Sequence, residues 1–177
     1  NEDDPVAEIR EQHVDVGAQD GEELAELVDR GDPVTFTQRI RELANGRLAA
    51  RGMDNRIGVW AAAAGLRRAA EREAEATVYA VSTVQEEVGL QGAKMVGFDL
   101  APDAALVLDV THATDGPESP AEKSTGIELS GGPVVARGSA NHPVVVDALR
   151  AVGESNGIDV QLQATGTRTG TDADAFY

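Results

Sequence analysis

Two adjacent glutamates, Glu86 and Glu87, follow directly on an apolar, β-branched run at residues 77–84. A second acid, Asp109, closes another apolar run at 104–108 and opens the stretch Asp109-Val110-Thr111-His112-Ala113-Thr114-Asp115. A third, Asp54, lies in Met53-Asp54-Asn55-Arg56, where an Ala-rich helical stretch begins. Both apolar runs read as buried strands, and open α/β sheets bind ligands beyond the carboxyl ends of their strands. Gathering carboxylates there without a cation is costly. Two unit charges about 4 Å apart repel by roughly 4 kcal/mol at an effective dielectric near 20. A divalent ion reverses that sign, and two ions bridged by one carboxylate polarise both an attacking water and a substrate carbonyl. Adjacent glutamates then divide the work: one coordinates a metal, and its neighbour accepts the proton of the water. Taken singly, each acid also has an ordinary reading. A Glu-Glu pair suits a solvated loop, Asp54 suits a helix N-cap, and Asp109 suits a turn.

The elements that must position these acids alternate along the chain. Residues 14–16 read as a short strand. Asp20 caps a helix over 22–28, with Glu23 at the capping-box position and Gly31 as its stop. Residues 34–37 are rich in β-formers, and Asn45-Gly46 is a turn signal. A domain boundary is expected there, dividing 1–45 from 46–177. Beyond it a helix is expected over 57–74, strands over 77–84, 104–110, 133–136 and 159–164, and a helix from Pro143 to Val152 with Gly153 as its stop. Helices alternating with buried strands indicate an α/β layer fold with a mixed or parallel sheet.

Composition narrows the partners. The 177 residues are 41% apolar but only 3% aromatic, so the core must be built from small aliphatic side chains. Cysteine is absent, which leaves histidine and carboxylates as the strong metal ligands. No apolar run is long enough to span a bilayer, and no signal peptide is expected. A net charge of −16 disfavours nucleic acid and anionic membranes as partners. Lysine occurs only as Lys94 and Lys123. Abundant surface acid with scarce lysine fits a halophilic cytoplasm, where salt screens the self-repulsion. An acidic surface in an ordinary cell is the other reading. The chain opens on Asn1 and stops at Tyr177 after a Gly- and Thr-rich loop, so a fragment is expected.

The residues also carry a resemblance. Val84-Gln85-Glu86-Glu87-Val88-Gly89-Leu90-Gln91-Gly92-Ala93 closely resembles the signature of the tetrahedral and glutamyl aminopeptidases, dinuclear metallopeptidases. Met53-Asp54-Asn55-Arg56-Ile57-Gly58 is similar to the family's bridging-aspartate motif, with Asn55 where a second Asp is common. The segment from Asp109 to Asp115 is similar to its third metal segment, and Gly132-Pro133-Val134 and Gly170-Thr171-Asp172-Ala173 match further stretches in the same order. The resemblance implies a three-layer α/β sandwich with a mixed, mostly parallel sheet. It implies that residues before about 46 are the remnant of an inserted, small β-rich dimerisation domain. It implies two divalent metal ions, zinc or cobalt, with Asp54 bridging them, Glu87 and Asp109 each binding one, and Glu86 as general base. It also implies a cytoplasmic enzyme acting on peptides and forming dimers that build a tetrahedral dodecamer.

The family's two histidine ligands have no counterpart here. His13 lies in the presumed domain remnant, His112 is expected beside the ligands, and His142 precedes Pro143 at a helix start, lining the cleft or capping the helix. Trp60 is expected in the core or an interface, and Arg56 paired with an acid. The expected activity is release of N-terminal residues from short peptides by the full-length protein, with the 177-residue chain alone inactive. Two alternatives stand beside it: an inactive fragment serving as an assembly or folding module, and a hydrolase of the same fold with amide or glycosidic substrates.

Overall fold

The structure, a computed structural model, describes residues 7–37, 39–117 and 126–176. Contacts divide the chain into two units, residues 1–40 and 41–177. In the first, α1 (Gly21–Leu27) starts at Asp20, whose carboxylate accepts from the N–H groups of Glu22 and Glu23 at 2.9 and 3.0 Å. The Glu23 carboxylate reaches back to the N–H of Gln19 at 2.8 Å. These bonds satisfy orphan donors that would otherwise fray so short a helix. Residues 14–16 and 34–37 form no ladder with any described residue, so the two strands expected there are absent.

The second unit opens with an antiparallel hairpin, β1 (Arg41–Glu42) against β2 (Leu48–Ala49). Asn45 and Gly46 at its tip both take positive φ, the conformation that Asn-Gly favours in a tight hairpin. Helix α2 (Met53–Glu71) follows, with non-helical backbone at Asp54 and Asn55. Helix α3 (Gln91–Leu100) contains Gly92 and Gly97, glycines that suggest loops in the bare sequence. Their smallness serves approach instead. A Cβ on Gly92 would stand 2.5 Å from the Val84 nitrogen, and one on Gly97 would stand 3.0 Å from the Phe176 ring.

Strand β3 (Val134–Arg137) pairs in parallel with β4 (Gln161–Ala164), Val134 opposite Gln161 and Arg137 opposite Ala164. Helix α4 (Pro143–Ser155) makes the crossover that a parallel pair requires. It runs through Gly153 rather than stopping there, because Gly153 is buried beneath Val160, whose Cγ2 would lie 2.5 Å from an added Cβ. The turn beyond its end falls at Asn156 and the positive-φ Gly157.

Residues 77–84 and 104–110 are the chief departure from expectation. Neither segment has a ladder partner among the described residues. Strand status depends on a neighbour's backbone, which composition cannot supply. Burial is correspondingly slight: Ala93, Ile127 and Val146 are the buried apolar side chains among the described residues. Trp60, Met95 and Phe98 are 70%, 73% and 90% exposed, so Trp60 is not part of a core within this chain. No helix of the described residues is long and apolar enough to cross a membrane.

Candidate active site

Asp54 enters the site from the irregular start of α2. It does not cap the helix, as its position in the sequence allowed. That task falls to Asn55, whose Oδ1 accepts from the N–H of Gly58 at 2.9 Å. The Asp54 carboxylate is thereby left out of the local backbone bonding.

Glu86 and Glu87 are delivered by the end of the 77–84 segment. Gln85 takes a positive φ of 59° and turns the chain. The Glu86 carbonyl then accepts from the N–H groups of Gly89 and Leu90, each at 3.1 Å, leading into α3. The first turn of α3 is pinned to that segment, the Gly92 N–H donating to the Val84 carbonyl at 3.0 Å. The Glu86 side chain is half-buried and that of Glu87 is exposed.

Asp109 ends the 104–108 segment, and its Oδ1 accepts from the neighbouring Val110 N–H at 2.8 Å. A fourth position contributes an acid to which the sequence reading gave no role. Asp172 begins the short 3-10 turn Asp172–Ala175, which packs on α3. Its Oδ2 accepts from the Thr83 hydroxyl at 2.5 Å. Its Oδ1 is buried and has no hydrogen-bond partner among the described residues. The sequence signal was the Gly170-Thr171-Asp172-Ala173 stretch. Its meaning depended on Thr83, 89 residues earlier.

These acids lie in one another's fields. Glu86 holds its proton more tightly than a free glutamate, first because of burial and then because of the charges of Asp109, Glu87, Asp172 and Asp54. Asp109 is also shifted upward, by burial and by Asp54 and Asp172, against the lowering effect of the Val110 N–H. Desolvation and like charges both disfavour the ionised form. Among the described residues no lysine or arginine forms an ion pair with these acids, and Arg56 is in no ion pair.

The donor set suits a divalent cation in kind, since crowded oxygen donors with raised proton affinity are what such a charge stabilises. It is incomplete in number. No three His, Asp or Glu side chains among the described residues form a closed group able to hold a metal. His112 is exposed, and His13 belongs to the first unit. His142 occupies the N-cap position of α4 without making a side-chain cap bond. The nearby Ser139 and Asn141 side chains are tied into the loop at residues 165–166, donating to the Gly166 carbonyl and the Thr165 hydroxyl at 3.2 Å each.

The fold is similar to that of TET aminopeptidases. The TET aminopeptidase of the marine sediment archaeon Thaumarchaeota archaeon SCGC AB-539-E09 superposes with a TM-score of 0.82 at 33% identity, over 97% of this chain and 49% of that one. The chain belongs to the M42 glutamyl aminopeptidase family, whose sequence model matches residues 1–177. The lysyl aminopeptidase of Pyrococcus furiosus is 34% identical over 165 residues, which are 92% of this chain and 46% of that protein. The TET1 peptidase of Pyrococcus horikoshii, which can assemble into a tetrahedron or a large octahedral shell, matches with a TM-score of 0.72 at 32% identity. It is covered over 48% of its length by 92% of this chain. The chain thus spans about half the length of the relatives it matches.

Proposed function

We infer that, in a polypeptide of its relatives' full length, this chain supplies the acidic part of the active site of a metal-dependent aminopeptidase. The enzyme releases N-terminal residues from short peptides. The observation that carries the reading is that Asp54, Glu86, Glu87, Asp109 and Asp172 lie in one another's fields, with no ion pair to a lysine or arginine among the described residues. Asp54 would bridge two divalent ions, zinc or cobalt, with Glu87 on one and Asp109 on the other. When bound, the ions supply Lewis-acid polarisation of the scissile carbonyl and a more acidic water. Glu86 does the proton work. Its carboxylate takes the proton of the attacking water and returns it to the departing amine.

The parallel β3–β4 pair and the likeness to the archaeal structure support a three-layer sandwich with a mostly parallel sheet. Residues 1–45 are read as the end of an inserted β-rich dimerisation domain. The assembly of the Pyrococcus horikoshii relative supports a homo-oligomer. The charge of −16 supports a halophilic cytoplasm as its setting.

The test is Glu86→Gln in the full-length protein. Metal content should stay at the wild-type level while kcat falls by about 10²- to 10⁴-fold. Normal turnover with metals still bound overturns the assignment. The lack of a closed ligand group among the described residues favours a second statement, that the 177-residue chain alone is inactive. Tight binding of two ions by that chain would argue against it.

A further inference from the structure

The Asn55 side chain makes two hydrogen bonds of opposite sense. Its amide Nδ2 donates to the Leu108 carbonyl at 2.6 Å, across 53 residues of sequence. Its Oδ1 accepts from the Gly58 N–H at 2.9 Å. Asn55 directly follows Asp54, and Leu108 directly precedes Asp109. The start of α2 and the end of the 104–108 segment are therefore joined at the two residues flanking the acids.

The chemistry of that link is specific. One short side chain must present a donor to a carbonyl and an acceptor to an N–H at once, and an amide does both. An ionised carboxylate of the same shape is an acceptor only, and would set a negative charge against the Leu108 oxygen. The site is also sterically built for the link. Gly58 is buried, and a Cβ there would lie 2.6 Å from the Leu108 oxygen and closer still to the Asn55 Oδ1. The Asp54 carboxylate takes no part in the link.

We propose that Asn55 is a positioning residue that fixes the spacing of Asp54 and Asp109, using the amide bridge to Leu108 as a ruler between the two elements. The proposal rests on the reading of those acids as ligands of a shared metal pair. Positions that orient ligands from outside the first coordination sphere typically cost about 10- to 100-fold in metal affinity or activity when changed.

The experiment uses the full-length protein with Asn55→Leu, and with Gly58→Ala as a second disruption of the same link. Cobalt affinity is measured by competition with a chelator in the Glu86→Gln background, under conditions where circular dichroism shows every protein fully folded. Turnover is measured in the background with Glu86 intact. Both variants should bind the more weakly held ion about 10- to 100-fold less tightly, with kcat reduced by a similar factor and KM little changed. Native metal affinity in the two folded variants overturns the proposal. So does a rise in KM with unchanged kcat, which would place Asn55 in substrate binding. A wild-type protein that binds no metal overturns both this proposal and the ligand reading. Weakened metal binding in the variants together with full activity of Glu86→Gln supports the proposal and removes only the base assignment.

Discussion

Replacing Gly92 by alanine should move the acids through backbone that no titration touches. Gly92 is buried in the first turn of α3, and an added Cβ would meet the Val84 nitrogen at 2.5 Å and the Val84 oxygen at 2.6 Å. Ordinary van der Waals contact begins at 3.4 Å, so the helix must withdraw by 3.4 − 2.5, about 0.9 Å. Both obstructing atoms are main chain, and no side chain can swing aside. Overpacking of this kind costs about 1–3 kcal/mol, and strain on the Gly92–Val84 hydrogen bond adds about 1 kcal/mol. The better helix propensity of alanine returns about 1 kcal/mol. The net loss is about 1–3 kcal/mol, which lowers the melting temperature by about 2–4 °C per kcal/mol for a chain of this size. Gly65 in α2 provides the control. Nothing lies within 4 Å of a Cβ there, so Gly65→Ala should gain about 0.5–1 kcal/mol. Urea unfolding followed by far-ultraviolet circular dichroism measures both. Catalysis should respond more steeply, because a displacement near 1 Å at Glu86 costs about 100-fold in turnover. A Gly92→Ala protein as stable as the wild type, or stabilised like Gly65→Ala, would refute the packing argument.

Two further outcomes concern protons. Glu86 and Asp109 both have raised proton affinity in the fold, so the stability they contribute is present at low pH and lost as pH rises through their shifted values. The metal-free Glu86→Gln/Asp109→Asn double variant should therefore gain stability over the wild type between about pH 4 and pH 7. Urea midpoints across that range should diverge in its favour, and an opposite sign would contradict the shifts. Asp172→Asn keeps an acceptor for the Thr83 hydroxyl but removes a charge that raises both acids. In the metal-free protein, the pH at which the stability held by Glu86 and Asp109 is lost should move lower, and an unmoved transition would remove Asp172 from the electrostatic cluster.

The helices were legible in the sequence because their determinants are local. Asp20 before Glu22 and Glu23 announces the cap of α1, and Pro143 announces the start of α4. The strand pair β3–β4 falls at Val134–Arg137 and Gln161–Ala164, where strands were expected at 133–136 and 159–164. The segments 77–84 and 104–110 read as buried strands but carry no ladder among the described residues, since a ladder belongs to two segments and composition describes only one. Glu86, Glu87 and Asp109 stood out because each follows an apolar run. Asp172 did not, because its place depends on the hydroxyl of Thr83. Asn55 read as a departure from a motif, while its bond to the Leu108 carbonyl belongs to tertiary structure alone.

The two unladdered segments set how this chain behaves in solution. Neither has a ladder partner among the described residues, and unpaired backbone can template pairing between molecules. At low ionic strength the charge of −16 keeps copies apart. At about 1 M salt the Debye length shrinks to about 3 Å and that repulsion no longer reaches across the gap. Excluded salts strengthen apolar association at the same time. The brine that screens so acidic a surface therefore also removes the repulsion that keeps such segments of separate copies apart.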